Sequence, residues 1–265
     1  MASRRPIGFF DSGVGGLSVV KEVQRLMPSE DILYFADSAW APYGGRRETD
    51  VRGRCALIAR ELVQRDCKAL VIACNTATAA AASSLRQIYR IPVVGMEPAV
   101  KPAVQATRNN RVGVLATVGT LKSARFAALL ERFQKEVHVV TQPCPGLVEL
   151  VERGEFDAPE TSALCEKYCQ PLMEAGVDVV VLGCTHYPWL RGILASIFGP
   201  EVSLIETGRA VAERLAARLE FSKLRSDRIN TGSLVVYTTG STDHTQALLR
   251  IMQLNGSVES MHRLS

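Results

Sequence analysis

The sequence contains the stretch Lys68-Ala-Leu-Val-Ile-Ala-Cys74-Asn-Thr and, 110 residues later (184 minus 74), the stretch Asp178-Val-Val-Val-Leu-Gly-Cys184-Thr-His. Both have an aliphatic run of strand length, then a small residue, a cysteine and two polar residues before a helical segment. Continuous apolar runs are typical of strands buried on both faces of a parallel sheet. The pair therefore predicts two similar α/β units, each with a cysteine at the carboxyl end of a strand. Ligands of such sheets bind at that edge, so we expect the two cysteines to lie beside one cleft.

The rest of the chain alternates short apolar runs with longer amphipathic segments, which predicts an α/β fold with mainly parallel sheets. We predict strands at residues 7–10, 32–35, 69–73, 93–94, 111–115, 137–140, 177–182, 202–205 and 234–237. We predict helices at residues 17–26, 51–65, 76–89, 122–133, 161–175, 190–198 and 209–219.

The composition is that of an ordinary globular protein: 265 residues, 47% hydrophobic and 22% charged, with a net charge of +4. The densest basic patch, residues 46–54, also holds Glu48 and Asp50 and has no interleaved aromatic residues, so we predict a solvated helix face and no nucleic-acid partner. Asp11 interrupts the first apolar run, and the longest apolar runs are of strand length. We therefore predict no signal peptide, no membrane span and a cytoplasmic location.

Seven cysteines are present, and we predict no disulfides, because the number is odd and the protein is expected to be cytoplasmic. Cys165 and Cys169 are four residues apart in a helical pattern. No second pair with zinc spacing accompanies them, so we interpret both as small helix residues and predict no metal site. Cys74 and Cys184 each precede a predicted helix start, where amide groups and the helix dipole favour the thiolate and lower the thiol pKa.

Three further segments carry candidate polar groups. The turn Asp11-Ser-Gly-Val-Gly-Gly16 offers backbone amides to an anionic ligand, although the Rossmann and P-loop spacings are both absent. Asp11 suits a substrate ammonium group or the proton of a neighbouring thiol; alternatively, Asp11 or Ser12 caps the first helix. His186 lies two residues after Cys184, and we favour acid/base assistance over a metal pair or a structural imidazole. The turn at residues 41–45 exposes amides or simply connects two elements.

These segments resemble the glutamate racemase family. The resemblance rests on Asp11-Ser-Gly-Val-Gly-Gly-Leu-Ser, Ala36-Asp-Ser-Ala with Pro42-Tyr-Gly, Ala73-Cys-Asn-Thr-Ala-Thr, and Gly183-Cys-Thr-His-Tyr-Pro. Linking segments at residues 96–99, 115–120 and 144–152 are similar as well, so the likeness covers nearly the whole chain in the family's order.

The resemblance implies a pyridoxal-independent racemase that supplies D-glutamate for bacterial peptidoglycan. Cys74 and Cys184 would be the two acid/base residues, Asp11 would support Cys74, and Glu152 and His186 would support Cys184. The substrate glutamate would be bound by Asp11, Ser12, Tyr43, Gly44, Asn75, Thr76, Thr185 and His186.

The resemblance also implies two α/β/α domains, pseudo-symmetric about an interdomain cleft. The first would comprise residues 1–97 and 208–265, and the second residues 98–207. No cofactor is expected, and a homodimer is possible.

Three other functions stay open. The same fold serves racemases of aspartate or other amino acids, which a substrate panel would separate. A cysteine hydrolase or amidotransferase would use Cys184 and His186 and tolerate the loss of Cys74. A ligand-binding protein would bind glutamate without exchange at its α-carbon.

Overall fold

The computed structural model describes residues 2–133 and 135–261, which form ten strands and eleven helices. The strands are β1 (Ile7–Asp11), β2 (Ile32–Ala36), β3 (Ala69–Ile72), β4 (Val93–Gly95), β5 (Arg111–Ala116), β6 (His138–Pro143), β7 (Val179–Leu182), β8 (Ser203–Ile205), β9 (Leu234–Thr238) and β10 (Ser257–Ser260). The helices are α1 (Leu17–Leu26), α2 (Glu48–Gln64), α3 (Asn75–Ile88), α4 (Val100–Ala106), α5 (Val118–Leu121), α6 (Ala124–Glu131), α7 (Leu147–Arg153), α8 (Pro159–Glu174), α9 (Arg191–Phe198), α10 (Gly208–Phe221) and α11 (Thr242–Ile251).

The strands form two sheets, in the orders β10-β9-β2-β1-β3-β4 and β6-β5-β7-β8. Every pairing within the described residues is parallel, so the predicted α/β fold with parallel sheets is confirmed. The orders β2-β1-β3-β4 and β6-β5-β7-β8 correspond strand for strand, and Cys74 and Cys184 each follow the third strand of their unit. We call the six-stranded sheet with its helices the first lobe, and the four-stranded sheet with its helices the second lobe.

The strand and helix predictions miss some elements. The helix expected at residues 122–133 is the shorter helix α6, which begins after Ser123: the Ser123 Oγ accepts from the Phe126 N–H at 3.1 Å and caps this start. Helix α5, which ends just before the expected range, was not predicted. Helix α7 lies between Gly146 and Gly154, both in the left-handed region, and is too short to show helical periodicity. Helices α4 and α11 and the polar strand β10 were also not predicted.

The largest cluster of buried apolar side chains runs from one sheet to the other, joining residues such as Phe9 of β1 to Leu115 of β5 and Val180 of β7. Each fully buried aliphatic or aromatic side chain contributes about 1.5–3 kcal/mol. The two lobes therefore share apolar packing around the carboxyl ends of their strands. The division into domains at residues 97 and 207 stays a prediction.

A buried ion pair lies at the opposite, amino-terminal edge of the first sheet. Lys68 Nζ is 2.5 Å from Glu30 Oε2, and both side chains are almost completely shielded from solvent. Lys68 also donates to the Ser3 carbonyl at 2.6 Å, and Glu30 Oε1 accepts from the Ser226 N–H at 2.9 Å. The pair thus ties the amino-terminal segment and the segment before β9 to the sheet. In the part of the chain that is described, no helix is long and apolar enough to cross a membrane.

Candidate active site

The candidate site lies where the carboxyl ends of β1, β3, β5 and β7 meet between the lobes. The two cysteines, 6% and 7% exposed, face a single cavity. The cavity is lined by Ser12, Pro42, Tyr43, Gly44, Cys74, Asn75, Thr76, Thr117, Thr120, Val148, Cys184, Thr185 and His186. Of the site residues that the sequence predicts, all but Asp11 and Glu152 line this cavity; those two lie behind it.

The cavity is small, with a volume of about 10 Å³. A buried water needs roughly 10–15 Å³ on the same measure. The cavity as it stands is therefore too small for an amino acid, and lining residues have to move before one can bind.

The turn after β1 is organised around Asp11, which is fully buried. Its carboxylate accepts from the N–H groups of Ser12 (2.7 Å) and Gly16 (2.6 Å), and from Thr185 Oγ1 of the second lobe (3.1 Å). The Val14 N–H donates to Glu152 Oε1 at 2.7 Å. The amides of this turn were expected to bind an anionic ligand, and three of them bind the protein's own carboxylates instead.

Cys74 caps helix α3: its Sγ accepts from the Ala77 N–H at 3.4 Å. Burial raises the thiol pKa well above its ordinary value, and the neighbouring Asp11 carboxylate raises it further. The single amide contact lowers the pKa by less than these effects raise it. The expectation that the helix start lowers the pKa of Cys74 is therefore wrong, and the thiol form is favoured near neutral pH.

Cys184 has different neighbours. Its Sγ is 3.6 Å from His186 Nδ1, and His186 Nε2 is 2.6 Å from Glu152 Oε1. Burial lowers the pKa of the His186 imidazole, but its hydrogen bonds to Cys184 and Glu152 raise it more, so the pKa lies well above its ordinary value. Cys74 thus has a carboxylate as its nearest charged neighbour, whereas Cys184 has an imidazole.

Two glycines allow this close approach of the lobes. A Cβ on Gly13 would overlap the Glu152 carboxylate, and a Cβ on Gly15 would overlap the His186 ring. The turn after β1 therefore has to be free of side chains at these positions, because Glu152 and His186 of the second lobe pack against its backbone.

The polar side chains of the cavity wall differ in whether they have hydrogen-bond partners. Neither amide atom of Asn75 has a hydrogen-bond partner, although the residue is only 5% exposed. Thr76 Oγ1 instead joins the hydroxyls of Thr117 (3.0 Å) and Thr120 (3.3 Å) in a cluster that bridges the lobes. A buried unpaired amide costs free energy, so Asn75 is available to a ligand at no loss of protein contacts.

Tyr43 is held by residues that sequence reasoning missed. Its hydroxyl donates to Asp37 Oδ2 at 2.5 Å, and Arg54 binds the same carboxylate through two hydrogen bonds of 2.7 Å. Burial raises the pKa of Tyr43 far above its ordinary value, so the phenol stays protonated. Asp37 belongs to the Ala36-Asp-Ser-Ala motif, which was the only signal that could have pointed to it.

Thr117, Thr120 and Val148 were also missed as lining residues. Thr117 follows β5, whose position in the second sheet corresponds to that of β1 in the first. Sequence reasoning singled out residues at the strand ends near Asp11, Cys74 and Cys184 but none after the strand at residues 111–115. The internal repeat and the family-like segment at residues 115–120 were the signals that could have found Thr117.

The comparisons with known proteins agree with this geometry. A sequence profile of the Asp/Glu/Hydantoin racemase family matches residues 16–215. A glutamate racemase of Ectopseudomonas mendocina is 51% identical over 94% of this chain and 95% of its own length.

Two solved structures match the fold. A glutamate racemase isoform from Bacillus anthracis superposes with a TM-score of 0.89 and 32% identity, covering 98% of both chains. The glutamate racemase of Escherichia coli, solved in complex with L-glutamate and an activator, superposes with a TM-score of 0.86 and 32% identity, covering 97% of this chain and 98% of its own. The paired cysteines, the two like sheets and these similarities together show that the chain belongs to the Asp/Glu/Hydantoin racemase family.

Proposed function

We propose that this chain is a cofactor-independent racemase that interconverts L- and D-glutamate, with Cys74 and Cys184 as its two acid/base residues. The observation that carries the proposal is that the two thiols follow corresponding strands of two like sheets and face one cavity. Racemisation removes the α-proton from one face of the substrate and returns a proton to the other, which suits two such groups. The relatives named glutamate racemase support glutamate as the substrate.

The environments of the two thiols support unequal resting states. Burial and Asp11 favour the Cys74 thiol, whereas Cys184 lies beside the His186 ring, which Glu152 holds from its other side. The resting protein would therefore remove the α-proton of one enantiomer with the Cys184 thiolate while Cys74 donates its proton to the opposite face. The reverse reaction starts from the other protonation state, with the proton moved from Cys74 to Cys184.

The carbanion formed between these steps needs stabilisation, because an α-proton is far less acidic than a thiol. Asn75 supports this role, since its buried amide is unpaired and can donate to the substrate α-carboxylate as negative charge develops. Thr76 and the hydroxyls that contact it are further donors on the same wall. A hydrogen bond of this kind to a charged carboxylate lowers the activation free energy by about 1.5–3 kcal/mol.

Closure of the lobes would exclude water from the reaction. We infer that residues 1–97 with 208–265 and residues 98–207 are two domains that open to admit glutamate. The shared core and the hydroxyl cluster between lobes would re-form on closing. We place the reaction in the cytoplasm, because all seven cysteines are unpaired, as in a reducing compartment. The family resemblance adds peptidoglycan synthesis as the use of D-glutamate.

The test is incubation of the purified, pyridoxal-free protein with L-glutamate in heavy water. Circular dichroism follows the loss of optical activity, and NMR follows deuterium at the α-carbon. We expect both signals to change together. No exchange with either enantiomer, from folded protein with reduced thiols, would reject glutamate racemisation; a panel including aspartate then tests other substrates.

A second candidate is a cysteine hydrolase or amidotransferase, favoured by the chain of contacts from Cys184 through His186 to Glu152. A nucleophile, a base and an orienting carboxylate have this arrangement in such enzymes. The two functions differ in their need for Cys74, which a hydrolase does not use. Retained turnover in Cys74→Ala would favour the hydrolase, and loss of racemisation would favour the racemase.

A further inference from the structure

Glu152 is a residue of the second lobe that is held mainly by groups of the first. Its Oε1 accepts from the Val14 N–H at 2.7 Å, and its Oε2 accepts from Ser38 Oγ at 3.3 Å. Its backbone carbonyl accepts from His244 Nε2 at 2.6 Å. The proposed reaction and the sequence comparison assign no role to Ser38 or His244.

The two side chains reach Glu152 from separate elements. Ser38 lies in the turn directly after β2, whereas His244 lies in the first turn of α11, where Ser241 Oγ accepts from the His244 N–H at 3.2 Å. Helix α11 also packs against the end of α7, since a Cβ on Gly154 would lie 2.9 Å from Leu248 Cδ2. The carboxylate and the backbone carbonyl of Glu152 are therefore held by two separate elements of the first lobe.

Side-chain contacts connect Glu152 to only one of the two thiols, Cys184. Glu152 Oε1 contacts His186 Nε2, and the other ring nitrogen of His186 faces Cys184 Sγ. Cys74 has Asp11 beside it instead, and the Asp11 carboxylate is held by Ser12, Gly16 and Thr185. The contacts of Ser38 and His244 with Glu152 can therefore affect Cys184 but not Cys74.

We propose that Ser38 and His244 are positioning residues that fix Glu152, and through it His186, for proton transfer at Cys184. Because both contacts cross between the lobes, they form only in the closed site. This inference rests on the proposed two-thiol reaction.

The expected signature follows from the chemistry of racemisation. Two enantiomers have equal free energy, so kcat/KM is the same in both directions for every variant. Slower proton transfer at Cys184 instead changes the α-deuterium isotope effects, and it changes them differently for the two enantiomers. The effect of α-deuterium on kcat/KM rises for the enantiomer that Cys184 deprotonates, and falls for the other, whose limiting step becomes reprotonation. A general structural defect lowers both rates without separating the two isotope effects.

The experiment measures the isotope effects of α-deuterated L- and D-glutamate for His244→Ala and Ser38→Ala, with Cys184→Ser as the reference for the sense of the change. His244→Gln keeps a side-chain N–H donor, and His138→Ala, at the exposed start of β6, is the matched control. Loss of one such hydrogen bond is expected to lower kcat/KM about two- to tenfold. His244→Gln should recover part of this loss, and His138→Ala should equal the wild type.

The inference is supported if His244→Ala and Ser38→Ala separate the isotope effects in the same sense as Cys184→Ser. Equal isotope effects for both enantiomers, or a separation in the opposite sense, would overturn it. Failure of the proposed function gives a different result, because the wild-type protein would then not exchange the α-proton of glutamate at all.

Discussion

Replacing Asn75 by alanine should have opposite effects on stability and on activity. Asn75 is 5% exposed, lines the cavity between the two cysteines, and has two amide atoms without partners. Each buried unpaired group costs about 1–3 kcal/mol. The substitution also removes three heavy atoms beside an existing cavity, and this loss of packing lowers the free energy of unfolding by about 0.5–1 kcal/mol. With the amide taken as one unpaired group, the ligand-free variant should therefore be more stable than the wild type by up to about 2 kcal/mol.

The same substitution should weaken catalysis. A hydrogen bond to a charged group contributes about 1.5–3 kcal/mol, so losing the amide contact to the substrate carboxylate should lower kcat/KM roughly 10- to 100-fold. Thermal unfolding monitored by circular dichroism gives the stability change, and a rise of up to about 8 °C in Tm is expected for a chain of this length. Racemisation assays on the same preparation give kcat/KM.

Asn109→Ala is the matched control, because both ends of that amide have partners. Its Nδ2 donates to the Gly176 carbonyl at 2.8 Å, and its Oδ1 accepts from the Arg111 N–H at 3.0 Å. This variant should lose stability and keep its activity. If Asn75→Ala also unfolds at a lower temperature than the wild type, the amide has a structural role and the reasoning is refuted.

Three more outcomes follow from the structure. Glu30→Gln leaves Lys68 buried without its charge partner and should cost about 3–5 kcal/mol in urea unfolding, whereas equal stability would show that the pair is dispensable. Gly15→Ala places a Cβ where the His186 ring lies and should lower kcat/KM about 100-fold. Gly192→Ala, where a Cβ meets open space, is the control. Equal activity of the two variants would show that the close packing of His186 on the turn after β1 is not needed for catalysis. Burial lowers the pKa of His186 but its hydrogen bonds raise it more, so the folded protein binds this proton more tightly than the unfolded chain. The stability lost in His186→Asn should therefore be greatest below about pH 6.5 and shrink as the pH rises through the raised pKa; a loss that grows with pH would contradict this sign.

The sequence was sufficient for the α/β fold with parallel sheets and for most residues that line the cavity, because both depend on local patterns. Apolar runs of strand length predict buried parallel strands, and polar residues directly after them collect at one sheet edge. The stretches ending in Cys74 and Cys184 therefore located both sides of the cavity. The short polar strand β10 carries no such pattern, since it lies at a sheet edge with its side chains exposed.

The properties that depend on tertiary contacts were not predictable in this way. A helix start alone suggests a lowered pKa for Cys74, but burial and Asp11 reverse the direction. Likewise, the glycine-rich turn suggests a ligand for its amides, and only the three-dimensional structure shows that Asp11 and Glu152 occupy them. The predicted division of the chain at residues 97 and 207 awaits a measurement of domain motion.

The central claim is that Cys74 and Cys184 act on opposite faces of the substrate. The most direct measurement is the α-deuterium isotope effect on kcat/KM for L- and D-glutamate in Cys74→Ser and Cys184→Ser, with Cys144→Ser, the buried thiol next to α7, as control. We expect the two active-site variants to separate the isotope effects in opposite senses and the control to leave them equal. Equal isotope effects for both enantiomers in both active-site variants would contradict the two-cysteine mechanism.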